Sequence, residues 1–190
     1  MKQKPQLPEA PTLVFASAGA FDSWLADNYQ RQEGVWIKMA KISSGIPSIT
    51  SDEAVDVGLC WGWISGIRKS LDDKYYLQRY VPRRPRSIWS QVNVDKVTAL
   101  TTAGRLQPPG EEEVRKAKAD GRWDMAYMAQ RDATPPPDLL EALANNKAAR
   151  ERFNKLNKTD RYMVILDLVK ARTPDSRAAK LSKLINETLS

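Results

Sequence analysis

Residues 63–81, WISGIRKSLDDKYYLQRYV, decide the fold. Two runs rich in β-branched and aromatic residues flank Asp72-Asp73, a pair suited to a turn, so the stretch reads as a β-hairpin. A two-residue turn would pair Leu71 with Lys74 and set Arg68, Ser70, Tyr75, Leu77 and Arg79 on one face, which leaves neither face cleanly apolar. Helical patterns lie on both sides of this hairpin. The expected class is therefore α+β: a small antiparallel or mixed sheet packed with helices, followed by a C-terminal helical module.

Working back from the hairpin, Ala54, Val57, Leu59 and Cys60 mark a helix that Thr50 or Ser51 can cap, with Asp52 and Glu53 placed to favour its dipole. Before it, Val35, Ile37 and Met39 alternate against Trp36, Lys38 and Ala40, the period of a strand. Phe21, Trp24, Leu25 and Asn28 fall at helical spacing, and Gly34 ends that segment. Leu13-Val14-Phe15 suits an edge strand, and residues 1–18 form a Pro-rich N-terminal arm.

Downstream, Pro82-Arg83-Arg84-Pro85-Arg86 must run extended, because each proline fixes its own φ and disfavours helix at the residue before it. Arginines at that spacing are expected outside the core. Ser90 or Asn93 caps a helix through Val94, Val97 and Leu100 that Gly104 closes, and Pro109-Gly110 opens another carrying Glu111, Glu112 and Glu113. Thr134-Pro135-Pro136-Pro137 is the candidate linker, dividing an α+β domain over 19–134 from a helical module over 135–190. Helices are expected near 138–145, 147–156, 160–171 and 174–188.

The chain of 190 residues contains no histidine and one cysteine. That excludes Ser-His-Asp and Cys-His relays, His-ligated metals and imidazole switches. Cys60 alone closes no internal disulfide and reads as a buried structural thiol. No metal or cofactor is expected; Asp52-Glu53 and Asp72-Asp73 suit a helix start and a turn. No apolar run reaches the length of a membrane span, and prolines interrupt the segment where a signal core would lie, so a cytoplasmic location is expected.

The net charge of +7 is uneven: residues 68–105 hold 9 basic and 3 acidic side chains. Six of the fifteen aromatics fall between 61 and 89. Arginine forks grip phosphate or carboxylate, and neighbouring rings stack on flat ligands. The candidate ligand-binding residues are Trp63, Arg68, Lys69, Arg79, Arg83, Arg84, Arg86, Ser87, Trp89, Ser90 and Asn93. The competing reading makes the tryptophans core residues, the arginines surface ion pairs and the serines ordinary caps. In the tail, Arg172, Arg177, Lys180 and Lys183 could meet phosphates as in a helix-turn-helix, but no helix there is rich in base-reading side chains, so sequence-specific DNA binding is not expected.

The strings LCWGWISG (59–66), QRY (78–80), PRRPRSIWSQVN (82–93), AGRLQPPG (103–110) and KADGRWDMAY (118–127), in this order, resemble the bacterial YdeI/OmpD-associated family. Ala171 to Arg177 resembles the family's helical module, the OmdA type, which carries a bacteriocin-protection label. The resemblance implies a YdhG-like α+β domain with a helical tail and a role in antimicrobial-peptide or stress tolerance, without an established reaction. The chain departs from the family at Ser65, where aspartate is usual, and in lacking a histidine near Tyr29. Arginine, tryptophan, tyrosine and serine remain, a set that grips better than it transfers protons. The expectation is a non-enzymatic protein binding an anionic small molecule or phosphate-bearing ligand. An enzyme acting on a phosphorylated or carboxylated substrate and an adaptor that docks a protein through the tail are the alternatives.

Overall fold

A computed structural model describes residues 9–85, 87–171 and 173–188; residues 1–8 of the expected N-terminal arm, together with Arg86 and Arg172, lie outside the described residues. The elements run β1 (Thr12–Leu13), α1 (Ala18–Asn28), β2 (Val35–Ala40), α2 (Ser51–Cys60), β3 (Trp63–Ser70), β4 (Tyr75–Pro82), α3 (Gln91–Thr102), α4 (Pro108–Ala119), α5 (Pro137–Asn145), α6 (Lys147–Lys155), α7 (Lys158–Val169) and α8 (Pro174–Lys183). The class is α+β, with a four-stranded mixed sheet among the described residues. The contacts group into two units. One runs to Ser87 and includes Asn93–Gly121; the other comprises Ile88–Val92 and Arg122–Ser190.

The first unit is built on the sheet, ordered β1-β2-β4-β3, with β1 parallel to β2 and the other neighbours antiparallel. Val35, Ile37 and Met39 project from β2 into a core with Trp63 and Tyr80 of the hairpin, Phe21 and Leu25 of α1, and Ala54 and Val57 of α2. The alternation along β2 thus becomes one covered face and one open face. Thr50 starts α2 with a complete capping box: its hydroxyl accepts from Glu53 N–H, and the Glu53 carboxylate accepts from Thr50 N–H.

Glycine matters most where chain segments touch. Gly34 has a φ of 71°, and a Cβ there would stand 2.3 Å from the carbonyl oxygen of Tyr80. At Gly110, in the first turn of α4, a Cβ would stand 2.2 Å from the carbonyl oxygen of Cys60. Two glycines expected to serve as helix or strand punctuation therefore also set how closely two backbones approach.

The second unit has its own core, formed by Leu139 and Leu143 of α5, Ala149 and Phe153 of α6, Ile165 and Leu168 of α7, and Ile185. Asn146, Asn157 and Thr173 cap α6, α7 and α8 through side-chain oxygens. Pro137 is the first residue of α5, and Ala133 packs on this core, so the prolines lead directly into the bundle. Met163 of α7 is exposed.

Candidate functional site

The hairpin register decides which cations can meet. Ser70 pairs with Tyr76, Lys69 with Leu77 and Arg68 with Gln78, one step away from the register of a two-residue turn. The reason is Asp72, whose Oδ1 accepts the N–H groups of both Lys74 and Tyr75 at 2.8 Å and holds a longer loop. The slip separates side chains expected together: Arg68 and Ser70 share the helix-covered side of the sheet with Gln78 and Tyr76, while Tyr75, Leu77 and Arg79 turn to the open side. A register shift between Ser65 and Arg68 re-aims the strand once more.

The open face carries Trp36 and Lys38 from β2, Tyr75 and Arg79 from β4, and Lys69 from β3. Lys38 Nζ sits 4.0 Å from the Tyr75 ring centre. The Arg79 guanidinium and Lys69 Nζ both lie over Trp36, at 5.3 and 4.8 Å. Arg79 also donates to the carbonyl oxygen of Glu33. None of these strand positions is acidic, and Lys38, Lys69 and Arg79 form no ion pair among the described residues. Rings hold the cations in place without cancelling their charge. The field reaches the turn: Asp72 is held below the usual carboxylate range chiefly by the Lys74 N–H, then by that of Tyr75, with Lys38 and Lys41 adding to it.

The remaining candidates lie elsewhere. Trp63 is core, its indole N–H donating to the Tyr29 carbonyl at 2.9 Å. Arg83 is only 6% exposed, a correction to the expectation that the extended arginines avoid the interior. Its backbone N–H still bonds the Gly62 carbonyl, continuing the hairpin ladder by one step and carrying the residue inward. Arg84 is exposed, and its N–H donates to Ser87 Oγ at 3.0 Å. Arg86 lies outside the described residues. Trp89 is buried in the second unit, 5.1 Å from the ring of Trp123, and Ser90 forms a parallel bridge with Tyr127. Asn93, half-buried, lies in the first turns of α3.

A cavity of about 790 Å³ gathers residues that carry the sequence resemblance: Trp61, Gly62 and Trp63, then Pro82 and Arg83, then Pro108 and Pro109. Glu112, Glu113 and Lys116 bring both signs of charge to its wall. Trp61 is anchored there by its indole N–H on Asp22, 2.8 Å away, and by stacking on Tyr29. A Cβ on Gly62 would stand 2.9 Å from the Pro109 carbonyl oxygen, so these motif glycines and prolines fit the close seating of α4 on the end of α2. Cys60 lies beside this seat, buried, and burial raises its pKa, which favours the inert thiol.

In the second unit two of the four basic residues that could meet phosphates, Arg177 and Lys180, are already paired. Arg177 grips Asp138 through two hydrogen bonds, and Lys180 binds Asp167 at 2.6 Å. Each raises the other's charge stability: the Arg177 guanidinium lowers the pKa of Asp138, and Asp138 raises that of Arg177. Among the described residues no group of acidic or thiol side chains could hold a metal ion, and no helix is long and apolar enough to cross a membrane.

Sequence reasoning missed Trp36 and Lys38. Their alternation with buried neighbours was a visible signal; their pairing with Arg79 and Leu77 across strands was not.

Two family models match the chain. Residues 13–113 match one described as Domain of unknown function (DUF8412), and residues 132–190 match one described as Bacteriocin-protection, YdeI or OmpD-Associated. The tail expectation and the second match coincide; the first unit matches a domain family without a function rather than one bearing the YdhG label. No curated protein and no solved structure matches the chain.

Proposed function

Given that this chain belongs to the family described as Domain of unknown function (DUF8412), we propose that it is a bacteriocin-protection-type protein whose open sheet face holds a phosphate-bearing ligand. The bacteriocin-protection part of this reading comes from the tail match. The ligand part rests on one observation: Lys38, Lys69 and Arg79 stand on one sheet face, braced by Trp36 and Tyr75, with no carboxylate among those strand positions.

The charge is suited to this task. A guanidinium and two ammonium groups fixed over rings present N–H donors at low ordering cost, and charge-assisted bonds to phosphate are among the stronger ones available at a surface. The same sign of charge repels cationic peptides, so protection by this chain would act through an anionic target rather than by sequestering the peptide itself. The face offers cations and rings but no histidine or carboxylate for proton transfer, which favours binding over turnover.

Calorimetric titration with inorganic phosphate, ATP and a single-stranded oligonucleotide, at low and high salt, tests the reading. Binding of at least one probe, weakened by salt and reduced about tenfold or more in the Lys69→Gln/Arg79→Gln variant, is the expected result. Absence of binding by all three probes, or equal affinity in a variant whose circular dichroism is unchanged, overturns it.

A further inference from the structure

On the opposite side of the sheet, beneath the end of the hairpin, lies a cavity of about 640 Å³. Its walls come from the segment after β2 (Lys41, Ile42, Ile46, Ile49), from Thr50 and Ser51 at the start of α2, and from Arg68, Ser70 and Tyr76. That volume is within the range of small-molecule sites. Ile42, Ile46 and the almost wholly buried Ile49 supply apolar surface, Ser43, Ser48 and Thr50 polar groups, and the exposed Arg68 a cation.

Arg68 is pre-organised. Its Nε–H donates to Gln78 Oε1 at 2.9 Å, one Nη2–H donates to Ser51 Oγ at 3.1 Å, and its Cζ lies 4.5 Å from the Tyr76 ring centre. Gln78 is itself buried, and its amide NH₂ is spent on the Gly66 carbonyl at 2.9 Å, so its oxygen has to face the guanidinium. Of the five guanidinium N–H donors, those not used by Gln78 and Ser51 have no protein acceptor among the described residues, and no carboxylate pairs with Arg68. The nearby acids are committed elsewhere: Asp52 to Lys96 at 2.8 Å and Glu53 to the Thr50 N–H and hydroxyl. The second cation, Lys41, donates to the Asp72 carbonyl at 2.7 Å.

We propose that this cavity binds a small organic monoanion with an apolar body, such as a medium-chain or aryl carboxylate, its charged head on Arg68 and its body against Ile42, Ile46 and Ile49. A braced guanidinium with spare donors at the edge of an apolar cavity matches that amphipathic shape, and the ligand's carboxylate completes the ion pair that the protein leaves open. A phosphate without an apolar body would leave Ile42 and Ile46 uncovered. The site is independent of the open sheet face, so either can fail without the other.

Octanoate is the probe, with octanol as its uncharged counterpart, each titrated calorimetrically into the full chain. Octanoate is expected to bind wild type more tightly than octanol does, to lose about tenfold or more in Arg68→Gln, and to keep its affinity in Lys69→Gln/Arg79→Gln. Arg68→Lys keeps the charge but loses the fork and should fall between wild type and Arg68→Gln. Undetectable octanoate binding at millimolar concentration, octanol binding as tightly as octanoate, or equal octanoate affinity in a folded Arg68→Gln chain each overturns the proposal. Because Arg68 is exposed, Arg68→Gln should fold; should circular dichroism show otherwise, the Arg68→Lys titration decides, with unchanged affinity counting against the site.

Discussion

Arg68 and Arg79 belong to one hairpin and stand on opposite faces of one sheet: Arg68 over Tyr76, Arg79 over Trp36. The first prediction follows from that separation. Arg79→Gln, combined with Lys69→Gln, should reduce affinity for a phosphate-bearing probe about tenfold or more, whereas Arg68→Gln should leave it within about twofold, since distant sites add independently. Calorimetry on the two variants checks this. Comparable losses in both would mean that the cations act as one diffuse field.

How much of this was legible in the sequence depends on range. The helices of both units follow from local signals: Thr50 with Glu53, Asn146, Asn157 and Thr173 as caps, Gly34 and Gly104 as stops. The alternation over 35–40 gave the strand and both of its faces. What the sequence withheld was cross-strand pairing, because a side-chain oxygen of Asp72 chooses the loop and one step of register exchanges every face. Of the candidate ligand residues, Lys69 and Arg79 share the open sheet face, Arg68 lines one cavity, Trp63 and Arg83 line another, and Trp89 and Ser90 belong to the second unit, while Trp36 and Lys38, close to Arg79 in space and distant in sequence, were not among the candidates. Arg83 was misplaced for the same reason: polyproline-like backbone says where the chain runs, not which side of it is covered.

Tyr80 offers a test of the core. It is fully buried, edge-on to Phe21 at 5.5 Å, and its hydroxyl has no hydrogen-bond partner among the described residues. Burial also pushes its pKa well above the usual tyrosine value, so the neutral phenol is the form held. Tyr80→Phe removes an unpaired polar group without changing the ring. Stability should stay level or rise by up to about 1–3 kcal/mol, read from urea or thermal unfolding. A loss above about 1 kcal/mol would mean that the hydroxyl is satisfied.

Gly110 tests the seat of α4. A methyl group there meets the Cys60 carbonyl carbon and oxygen at 2.8 and 2.2 Å, and the Gln107 N–H that bonds the same carbonyl, at 3.0 Å, would be displaced with it. Alanine raises helix propensity, so an increase in stability would follow if the contact could relax. Backbone on both sides argues that it cannot. Gly110→Ala should destabilise the first unit by about 1–3 kcal/mol, measured by chemical denaturation.

The last prediction concerns pH and the second unit. Arg177 joins three elements: its Nε and Nη2 reach the Asp138 carboxylate of α5 at 2.6 and 2.9 Å, and its Nη1 donates to the Leu168 carbonyl of α7 at 2.9 Å. The first of these contacts is the main reason that Asp138 titrates below its ordinary value, burial acting against it. A carboxyl whose pKa is lower folded than unfolded binds fewer protons in the native state, so its stabilisation is complete above the unfolded pKa, about 3.9, and is lost as pH falls through the folded value. Both side chains are about one-third exposed, so water screens the pair and its worth at pH 7 is about 1 kcal/mol rather than that of a buried bridge. Wild type should accordingly exceed Asp138→Asn in unfolding temperature by a constant margin from pH 7 to pH 5, and the two should converge below pH 4. A margin that persists at pH 2 would assign the effect of the substitution to lost hydrogen bonding or packing instead of to charge.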